Sequence, residues 1–597
     1  MVPVLVAVAV AALSLANRPA PLSSTLAPDA FDNAWTMQEL QTLAREFPAR
    51  SPGSRGDQAL ASRIAQTLEG MGGAAGGGFH VRVLRGGAKT LAGERTLTTV
   101  VAERPGTTNE SPIMIVAHRD ARATGSADAL SGTAVLLELA RVLSNEQTNR
   151  TVVLVSTSGG SAGDGGAAQL ASLVEGGQVP WTTPEAATGR SVDAAIVLGD
   201  VASANVRAPI VIPYSSGIGS APVQLSETVA SAIGAQASIG AGSPGFVDQL
   251  VHLAVPLTAG EQGALDAAGV PAVLIQSSGE RGPAPDSPID AARLEGLGSA
   301  ALSSVFALDA APDVEAAPQA GLLLAHGVLP GWAVRVLVLG LLVPALAVVV
   351  DALARARRRR EPVARWIAFT LACGLPFLAC GLLVAVIGAL GLAPATAEPV
   401  AGAVHPSTAM WSTLALGLLA LILGALALPR VIRAIGIPRA PLPAAGGMAL
   451  MLVLDVAALI SWAINPFAAL LIVPAAHLWL LVAAPELRPR RWWLGVGVVL
   501  LGVCAPVLVV VYYAGQFGGG PASLWAAMLL VAGGNVGPAT LLLWSVLLGC
   551  VPMAAYAALS GRRVPRALEA PAPVTIRGPL SYAGPGSLGG TESALHR

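Results

Sequence analysis

The second half of the sequence contains seven apolar runs, each long enough to cross the roughly 30 Å hydrocarbon core of a bilayer as a helix. Charged residues make up only 12% of the chain and its mean hydropathy is +0.64, which excludes a wholly soluble protein. A further run, Leu524–Ala532, is too short to span, and its Gly, Pro and Ser neighbours favour an interfacial or re-entrant segment. We predict seven transmembrane helices: Trp332–Leu353, Trp366–Leu392, Trp411–Leu428, Gly447–Ile464, Phe467–Ala484, Trp492–Tyr513 and Thr540–Leu559.

Among the loops between these runs, only alternate ones contain arginine. The intervening loops, Ala393–Met410, Asn465–Pro466 and Ala514–Ser523, contain no Arg or Lys. Because positively charged loops stay in the cytoplasm, we predict a multi-pass protein of the cell membrane with a cytoplasmic C-terminus and residues 17–330 outside the cytoplasm. The arginines that lie next to the predicted helices on the cytoplasmic side are Arg355, Arg357, Arg358, Arg359, Arg360, Arg365, Arg430, Arg433, Arg439, Arg488, Arg490, Arg491, Arg562, Arg563 and Arg566.

Composition divides the rest of the chain into segments. Residues 1–16 are apolar and end in Ser14-Leu15-Ala16, which fits either a signal peptide or an uncleaved anchor. The net charge is zero, so there is no electrostatic basis for a nucleic-acid partner, and the lipid bilayer is the partner that composition predicts. We predict linkers at 17–36 and 311–330, an extracytoplasmic domain at 37–310, a transmembrane domain at 331–560 and a disordered cytoplasmic tail at 561–597.

The predicted extracytoplasmic domain alternates between short β-like runs and helical patterns. Such alternation predicts an α/β domain around a mostly parallel sheet, in which ligands bind at the carboxyl ends of the strands. His118, Arg119 and Asp120 directly follow one of the predicted strands and are therefore candidate site residues. The predicted strands are Leu97–Ala102, Ile113–Val116, Thr151–Ser156, Ala194–Leu198 and Ala272–Ile275, and the predicted helices are Asp57–Met71 and Thr133–Leu143.

Ordered motifs across residues 37–310 carry a resemblance to a known family. They are FPARSPGS at Phe47–Ser54, IVAHRD at Ile115–Asp120, GSADALSG at Gly125–Gly132, AGVPAV at Ala268–Val273 and DSPID at Asp286–Asp290. Together they resemble the M28 family of zinc aminopeptidases. The resemblance implies a three-layer α/β/α zinc-aminopeptidase-like domain, here followed by an all-α transmembrane bundle.

The same resemblance implies roles for three residues. A co-catalytic zinc pair needs two His, three carboxylates and a separate Glu that activates the bridging water. By the resemblance, His118 is a first ligand, Asp120 orients its imidazole, and Asp128 bridges both metals. Two further positions have other carboxylates near them. Asp200 lies one residue beyond the position at which the family has a carboxylate at the end of a strand, and Asp286 stands where the family has its last His.

The segment that should supply the general base departs from the family pattern. The base Glu falls on Gly160 and a ligand Glu falls on Ser161. Glycine cannot accept a proton, and a serine hydroxyl is a poor zinc ligand beside a carboxylate. Loss of the base alone is expected to reduce the rate by about 10²–10⁴. The nearest acid that a shifted alignment would offer as a base is Asp164.

These departures leave three hypotheses for function. The first is a catalytically inactive M28-type domain that binds peptide or protein partners and holds no metal, its ligand positions being vestigial. The second is an active zinc-dependent membrane aminopeptidase with ligands rearranged around Asp128, Asp200 and Asp286. The third assigns the function to the transmembrane bundle, in transport or lipid handling.

Two ionisable residues lie inside the predicted bundle. Asp455 precedes the Asn465-Pro466 turn by ten residues and His477 follows it by eleven, so both should reach a similar depth in antiparallel helices. Buried ionisable residues in a membrane are costly and usually paired. We therefore predict an Asp455–His477 pair, either as a structural hydrogen bond or as a site that handles protons or ions.

Overall fold

A seven-stranded mixed sheet forms the centre of the N-terminal domain. The computed structural model describes residues 2–23, 30–73, 77–176, 192–282, 284, 287–311, 320–325, 327–400, 402, 407–436, 442–517 and 523–560. The strands of the sheet are β1 (His80–Thr90), β2 (Gly93–Arg104), β3 (Ile113–His118), β4 (Val152–Thr157), β5 (Ala194–Leu198), β6 (Val211–Ile212) and β7 (Ala272–Ile275). They lie in the order β1-β2-β4-β3-β5-β7-β6, and the four strands β4, β3, β5 and β7 are parallel neighbours.

Helices cover both faces of this sheet, which gives the predicted three-layer α/β/α arrangement. The helices of this domain and of the segment before it are α1 (Val2–Leu13), α2 (Asn33–Glu46), α3 (Arg55–Gly70), α4 (Ser131–Asn145), α5 (Gly165–Glu175), α6 (Val223–Gln236), α7 (Phe246–Ala254), α8 (Glu261–Ala267) and α9 (Ala291–Ala310). One apolar core lies between the sheet and a layer that includes α3, α4 and α9. A second core on the opposite face includes α5 and α8.

The predicted α/β fold is confirmed, and the inner strands follow the predicted apolar runs. The strand β3 shows why, because Ile113 through Ala117 are all completely buried and a run of this kind fits an inner parallel strand. The outer strands β1 and β6 have no counterpart among the predicted elements. The first is mostly exposed and contains two glycines, and the second has only two residues, so neither carries a strand-like apolar pattern.

A bundle of apolar helices follows the α/β domain. Its helices are α10 (Gly331–Arg358), α11 (Val363–Ala372), α12 (Leu375–Ala389), α13 (Thr408–Ile435), α14 (Ala444–Ile464), α15 (Pro466–Leu470), α16 (Val473–Leu478), α17 (Leu480–Ala483), α18 (Trp492–Gly502), α19 (Cys504–Gln516), α20 (Ser523–Gly533) and α21 (Pro538–Leu559). Six described helices or continuous helical stretches are long and apolar enough to span a membrane, and a seventh span would be α18 with α19, which are bent by 55° at their junction. These helices support a multi-pass membrane protein.

Segments at the two ends of the α/β domain also pack on the bundle. The helix α1 lies against α10, where Gly340 faces Ala7. A two-stranded hairpin, Gly321–Leu324 with Gly327–Pro330, occupies part of the segment predicted as a linker and leads directly into α10. The predicted tail at 561–597 lies outside the described residues.

Three loops of the bundle contact the α/β domain. The Glu398 amide donates to the Gly163 carbonyl (3.1 Å), and the Gln516 side-chain amide donates to the Glu280 carboxylate (3.4 Å). The Asn465 side chain accepts from the Phe467 amide (2.9 Å) at the start of α15 and donates to the Leu253 carbonyl of α7 (2.7 Å). The α/β domain is therefore seated on one end of the bundle.

Candidate functional site

His118 ends strand β3 and packs directly against Gly160. A Cβ atom built on Gly160 would lie 2.5 Å from both the Cβ and the Cγ of His118, far inside normal contact. The backbone carbonyl of His118 accepts from the Thr133 hydroxyl of α4 (2.8 Å). Burial lowers the pKa of His118, and the positive charge of Arg50 lowers it further, against an opposing effect of Asp120. The imidazole thus occupies the space that a side chain at position 160 would need.

Asp120 holds the turn that contains Gly160. Its carboxylate accepts from the backbone amides of Gly159 (2.6 Å), Gly160 (3.0 Å) and Ser161 (3.1 Å), and from the Ser161 hydroxyl. Within the described part of the chain, no hydrogen bond joins Asp120 to the His118 ring. The geometry therefore gives Asp120 a turn-stabilising position rather than the orienting contact that the resemblance implies, and it also ties up the Ser161 hydroxyl.

The backbone of residues 159–164 (the 159–164 turn) has a conformation that favours glycine. Gly159 and Gly163 have φ values of +96° and +94°, and Asp164 has a φ of +54°. Positive φ is strained for most L-residues. The substitution at the base position is thus part of a glycine-rich turn and not an isolated change.

Asp128 and Asp200 form the other half of the site. Both are about 1% exposed, and Asp200 accepts from the Ser278 hydroxyl (2.8 Å) and amide (3.2 Å). The Asp128 Oδ2 atom has no hydrogen-bond partner among the described residues. Burial raises the pKa of Asp128 to about 6. Burial, and then the charge of Asp128, raise the pKa of Asp200 well above its usual range, which places the two carboxylates close together.

Comparisons with known proteins show the family to which this domain is related. Residues 99–235 match the model of peptidase family M28. No curated protein matches the chain. Solved structures with a similar fold match over almost their whole length: a glutaminyl cyclase from Fimbriiglobus ruber (16% identity, 49% of this chain and 99% of that chain, TM-score 0.34), a leucine aminopeptidase precursor from Bacteroides thetaiotaomicron (13%, 46% and 97%, 0.35) and BSAP, a zinc aminopeptidase from Bacillus subtilis (11%, 48% and 98%, 0.33).

The residues at the M28 zinc positions do not form a complete donor set in the described part of the chain. Asp128 and Asp200 approach each other, and Asp128 has an unpartnered oxygen. The ligand-Glu position is Ser161, whose hydroxyl bonds Asp120, and Asp286 lies outside the described residues. No group of three or more His, Cys, Asp or Glu side chains in the described chain is placed to hold a metal ion. Within the described residues, these positions therefore do not bring together the ligands of a zinc pair.

Arg119, the middle residue of the His118-Arg119-Asp120 motif, is a structural centre of the M28-like domain. It is completely buried and pairs with the Asp57 carboxylate (2.8 Å). It also donates to the carbonyls of Thr98 (2.6 Å) and Ser156 (3.0 Å). Charged groups are buried only when they are paired and hydrogen-bonded, so Arg119 fixes the end of β3 to its neighbours.

Residues 393–400 between α12 and α13 (the α12–α13 loop) lie over the 159–164 turn of the M28-like domain. A Cβ atom on Gly163 would lie 2.6 Å from the Cβ of Thr396, and the Ser216 hydroxyl donates to the Glu398 carboxylate (2.7 Å). The sequence patterns do not predict this contact. Their only signal is a single acidic residue, Glu398, in a loop without Arg or Lys.

The predicted Asp455–His477 pair does not form among the described residues. His477 Nε2 lies 2.9 Å from the Leu341 carbonyl of α10. Neither carboxylate oxygen of Asp455 has a hydrogen-bond partner in the described chain, and the residue is 3% exposed. The helix α14 breaks at Asn465 and the next helices are short and interrupted, so equal sequence spacing from the turn does not bring the two side chains together.

Proposed function

We propose that the M28-like domain does not hydrolyse peptides and instead binds peptide or protein partners outside the cytoplasm. The observation that carries the proposal is the contact between His118 and Gly160. A general base at position 160 would need a Cβ where the His118 ring lies, so no carboxylate can be restored there without moving His118. General-base catalysis needs a proton acceptor within hydrogen-bonding reach of the attacking water.

The remaining acid near the turn does not replace the missing base. Asp164 is 2% exposed, and burial raises its pKa well above its usual range, with further effects from Glu261 and Glu398. Burial of this kind disfavours the ionised carboxylate, which is the form that a general base needs. The turn therefore supports a binding function more strongly than a hydrolytic one.

The contacts between the two regions support the membrane topology predicted from the arginine pattern. Glu398, Asn465 and Gln516 lie in or next to three different loops, each without Arg or Lys, and all three contact the M28-like domain. Loops on the same side of a membrane as the domain are the ones that can reach it. This agreement supports an extracytoplasmic domain and a cytoplasmic C-terminus.

The proposal is tested on the full chain purified in detergent. After dialysis against trace zinc, we expect near-zero zinc per chain by mass spectrometry, and no release of amino acids from a panel of aminoacyl-p-nitroanilides. An active M28 aminopeptidase in the same detergent serves as the positive control. Stoichiometric zinc together with hydrolysis would overturn the proposal.

A rearranged zinc aminopeptidase is the second candidate, because the Asp128 Oδ2 atom is buried without a partner in the described chain next to Asp200. If this candidate holds, Asp128→Asn should remove both the bound zinc and the hydrolysis. Asp290→Asn is the matched control, since Asp290 caps α9 and lies outside the proposed ligand set. Activity that survives Asp128→Asn would exclude this candidate.

A further inference from the structure

Asp164 lies within electrostatic reach of two other buried or partly buried carboxyl groups where the α12–α13 loop covers the M28-like domain. Asp164 ends the 159–164 turn, Glu261 begins α8, and Glu398 comes from the loop itself. We call these three residues the junction acids. Arg119 faces Glu261 with its positive charge but is already paired with Asp57.

The junction acids are held in place by defined contacts from both regions. Glu398 donates its amide to the Gly163 carbonyl (3.1 Å) and accepts from the Ser216 hydroxyl (2.7 Å). Glu261 accepts from the Thr157 hydroxyl at the end of β4. Asp164 is fixed by the bond from its amide to the Gly159 carbonyl (2.8 Å).

Unpartnered oxygen atoms remain at the same junction. Asp164 Oδ1, Glu261 Oε2 and Thr396 Oγ1 are all buried without a hydrogen-bond partner in the described chain. Asp164 and Glu261 are 2% and 1% exposed, and Thr396 is 1% exposed. A carboxylate buried in this way is strongly disfavoured unless it gains a proton or a counter-charge.

We propose that the junction acids form a proton-binding site whose protonation holds the α12–α13 loop on the M28-like domain. When the acids are neutral, the loop lies on the 159–164 turn. When they ionise, mutual repulsion and the cost of burying charge favour a state in which Glu398 is solvated. The ligand of the site is the proton, and its effect is to couple the domain to the bundle. This inference does not depend on whether the domain hydrolyses peptides.

The charged surroundings of Glu398 agree with this assignment. Asp164 faces Glu398 and Glu261, and Asp120 faces Asp164 and Glu261. Lys89 donates to the Gly533 carbonyl (3.2 Å). Burial raises the pKa of Glu398 to about 7 and that of Glu261 to about 8. Positive charge also reaches this junction, because a Cβ atom on Gly402 would lie 3.1 Å from Arg122 Nη2 and Arg119 faces Glu261. Burial is therefore the main cause of the raised pKa values.

The direction of the pH effect follows from the raised pKa values. A carboxyl group whose pKa is higher in the docked state binds protons more tightly there, so docking weakens as the pH rises from its ordinary pKa to its docked pKa. For Glu398 that interval is about 4.5 to 7. Within the interval, docking weakens by about tenfold for each pH unit, because each unit costs about 1.4 kcal/mol.

The test is hydrogen exchange of the full chain in lipid nanodiscs, read by mass spectrometry at about pH 5.5, 7 and 8.5 and corrected for intrinsic exchange. We expect the protection of residues 159–164 and 393–400 to fall at least about tenfold from the lowest pH to the highest. Glu398→Gln, which mimics the neutral acid, should lose less protection than the wild type between about pH 5.5 and 7, the interval in which Glu398 ionises. Glu69→Gln on the exposed face of α3 is the matched control and should follow the wild type.

Several results would overturn the proposal. Wild-type protection that does not change with pH overturns the proposal by itself, even if Glu398→Gln fails to fold. If protection falls as much in Glu398→Gln as in the wild type, the pH response belongs to another group and not to Glu398. Protection at high pH that is restored by added Ca²⁺ would show that the junction acids bind a cation in place of protons.

Discussion

The two halves of the candidate site differ in what occupies the space around their side chains. In one half, made of His118, Asp120 and the 159–164 turn, the imidazole fills the place of the missing base side chain and Asp120 is bound by the turn. In the other half, Asp128 and Asp200 remain as buried carboxylates, and one oxygen has no partner in the described chain. The first half has become a packed structural element, whereas the second retains the chemical groups of a binding site.

This difference shows how the backbone accommodates glycine at the position where the resemblance implies a catalytic Glu. At Gly160 the neighbouring ring leaves no room for a Cβ, and at Gly159 and Gly163 the backbone has positive φ. Restoring one side chain would therefore not restore the site. If the His118 half is structural, substitutions in and around it should cost more stability than substitutions in the Asp128 half.

The largest effect is expected for Arg119→Met. This change leaves the Asp57 carboxylate buried without its ion-pair partner and removes the donors to the Thr98 and Ser156 carbonyls. We expect the free energy of unfolding to fall by about 3–5 kcal/mol, measured by chemical denaturation in detergent. Arg63→Met on the exposed face of α3 is the control and should change it by less than about 0.5 kcal/mol. Equal effects of the two changes would contradict a structural role for Arg119.

The second prediction concerns Gly160→Ala. The added Cβ would lie 2.5 Å from the His118 side chain, and overpacking of this kind costs about 1–3 kcal/mol of unfolding free energy. Gly234→Ala in α6 is the control, because nothing lies within 4 Å of its Cβ position and alanine favours a helix interior. If Gly160→Ala proves as stable as the wild type, the His118 half has more room than the structure shows.

The third prediction concerns the pH dependence of stability at Glu261, which lies at the edge of the His118 half. Burial raises the pKa of Glu261 to about 8 from an ordinary value of 4.5, so the folded state keeps a proton that the unfolded state releases. Stability is therefore lost as the pH rises between these two values. As the pH rises from about 6 to 8, we expect the free energy of unfolding of Glu261→Gln to increase relative to that of the wild type by on the order of 1–2 kcal/mol. If the difference in unfolding free energy between Glu261→Gln and the wild type does not change with pH, the prediction is wrong.

The smallest effect is expected in the Asp128 half. The Ser203 hydroxyl lies 2.7 Å from the Ser287 hydroxyl, beside Asp128. Ser203→Ala removes this hydrogen bond and the longer ones that the hydroxyl makes with the Asn205 carbonyl (3.4 Å) and amide (3.3 Å), and should cost about 1 kcal/mol of unfolding free energy. Ser62→Ala, on the exposed face of α3, is the comparison. A loss as large as that of Arg119→Met would show that the Asp128 half is also rigid and structural, which would remove the contrast between the halves.

The fold is predictable because its signals are local patterns in the sequence. The apolar run of β3 and the amphipathic pattern of α3 are such signals, and both elements lie where these patterns predict them. The outer strand β1 escapes prediction because its pairing with β2 is a non-local interaction that its exposed, glycine-containing sequence does not reveal. The long apolar runs likewise mark the bundle, but they do not show the breaks that divide α15, α16 and α17.

The site is less predictable, because its chemistry depends on contacts between distant parts of the chain. Spacing identifies His118 and Asp128, and it locates the substitutions at Gly160 and Ser161. Nothing in the spacing indicates that Asp120 binds the turn amides or that Glu398 reaches Ser216 across the domain junction. The Asp455–His477 prediction fails for a related reason, since depth in the membrane does not determine which face of a helix a residue occupies.

The Asn465 side chain has a mechanical consequence. One side-chain amide closes the turn between α14 and α15 and also binds the Leu253 carbonyl of α7. The Asn465 side chain thus joins the M28-like domain to the bundle. A displacement of α7 would therefore be transmitted through this one side chain to the end of α14 and the start of α15.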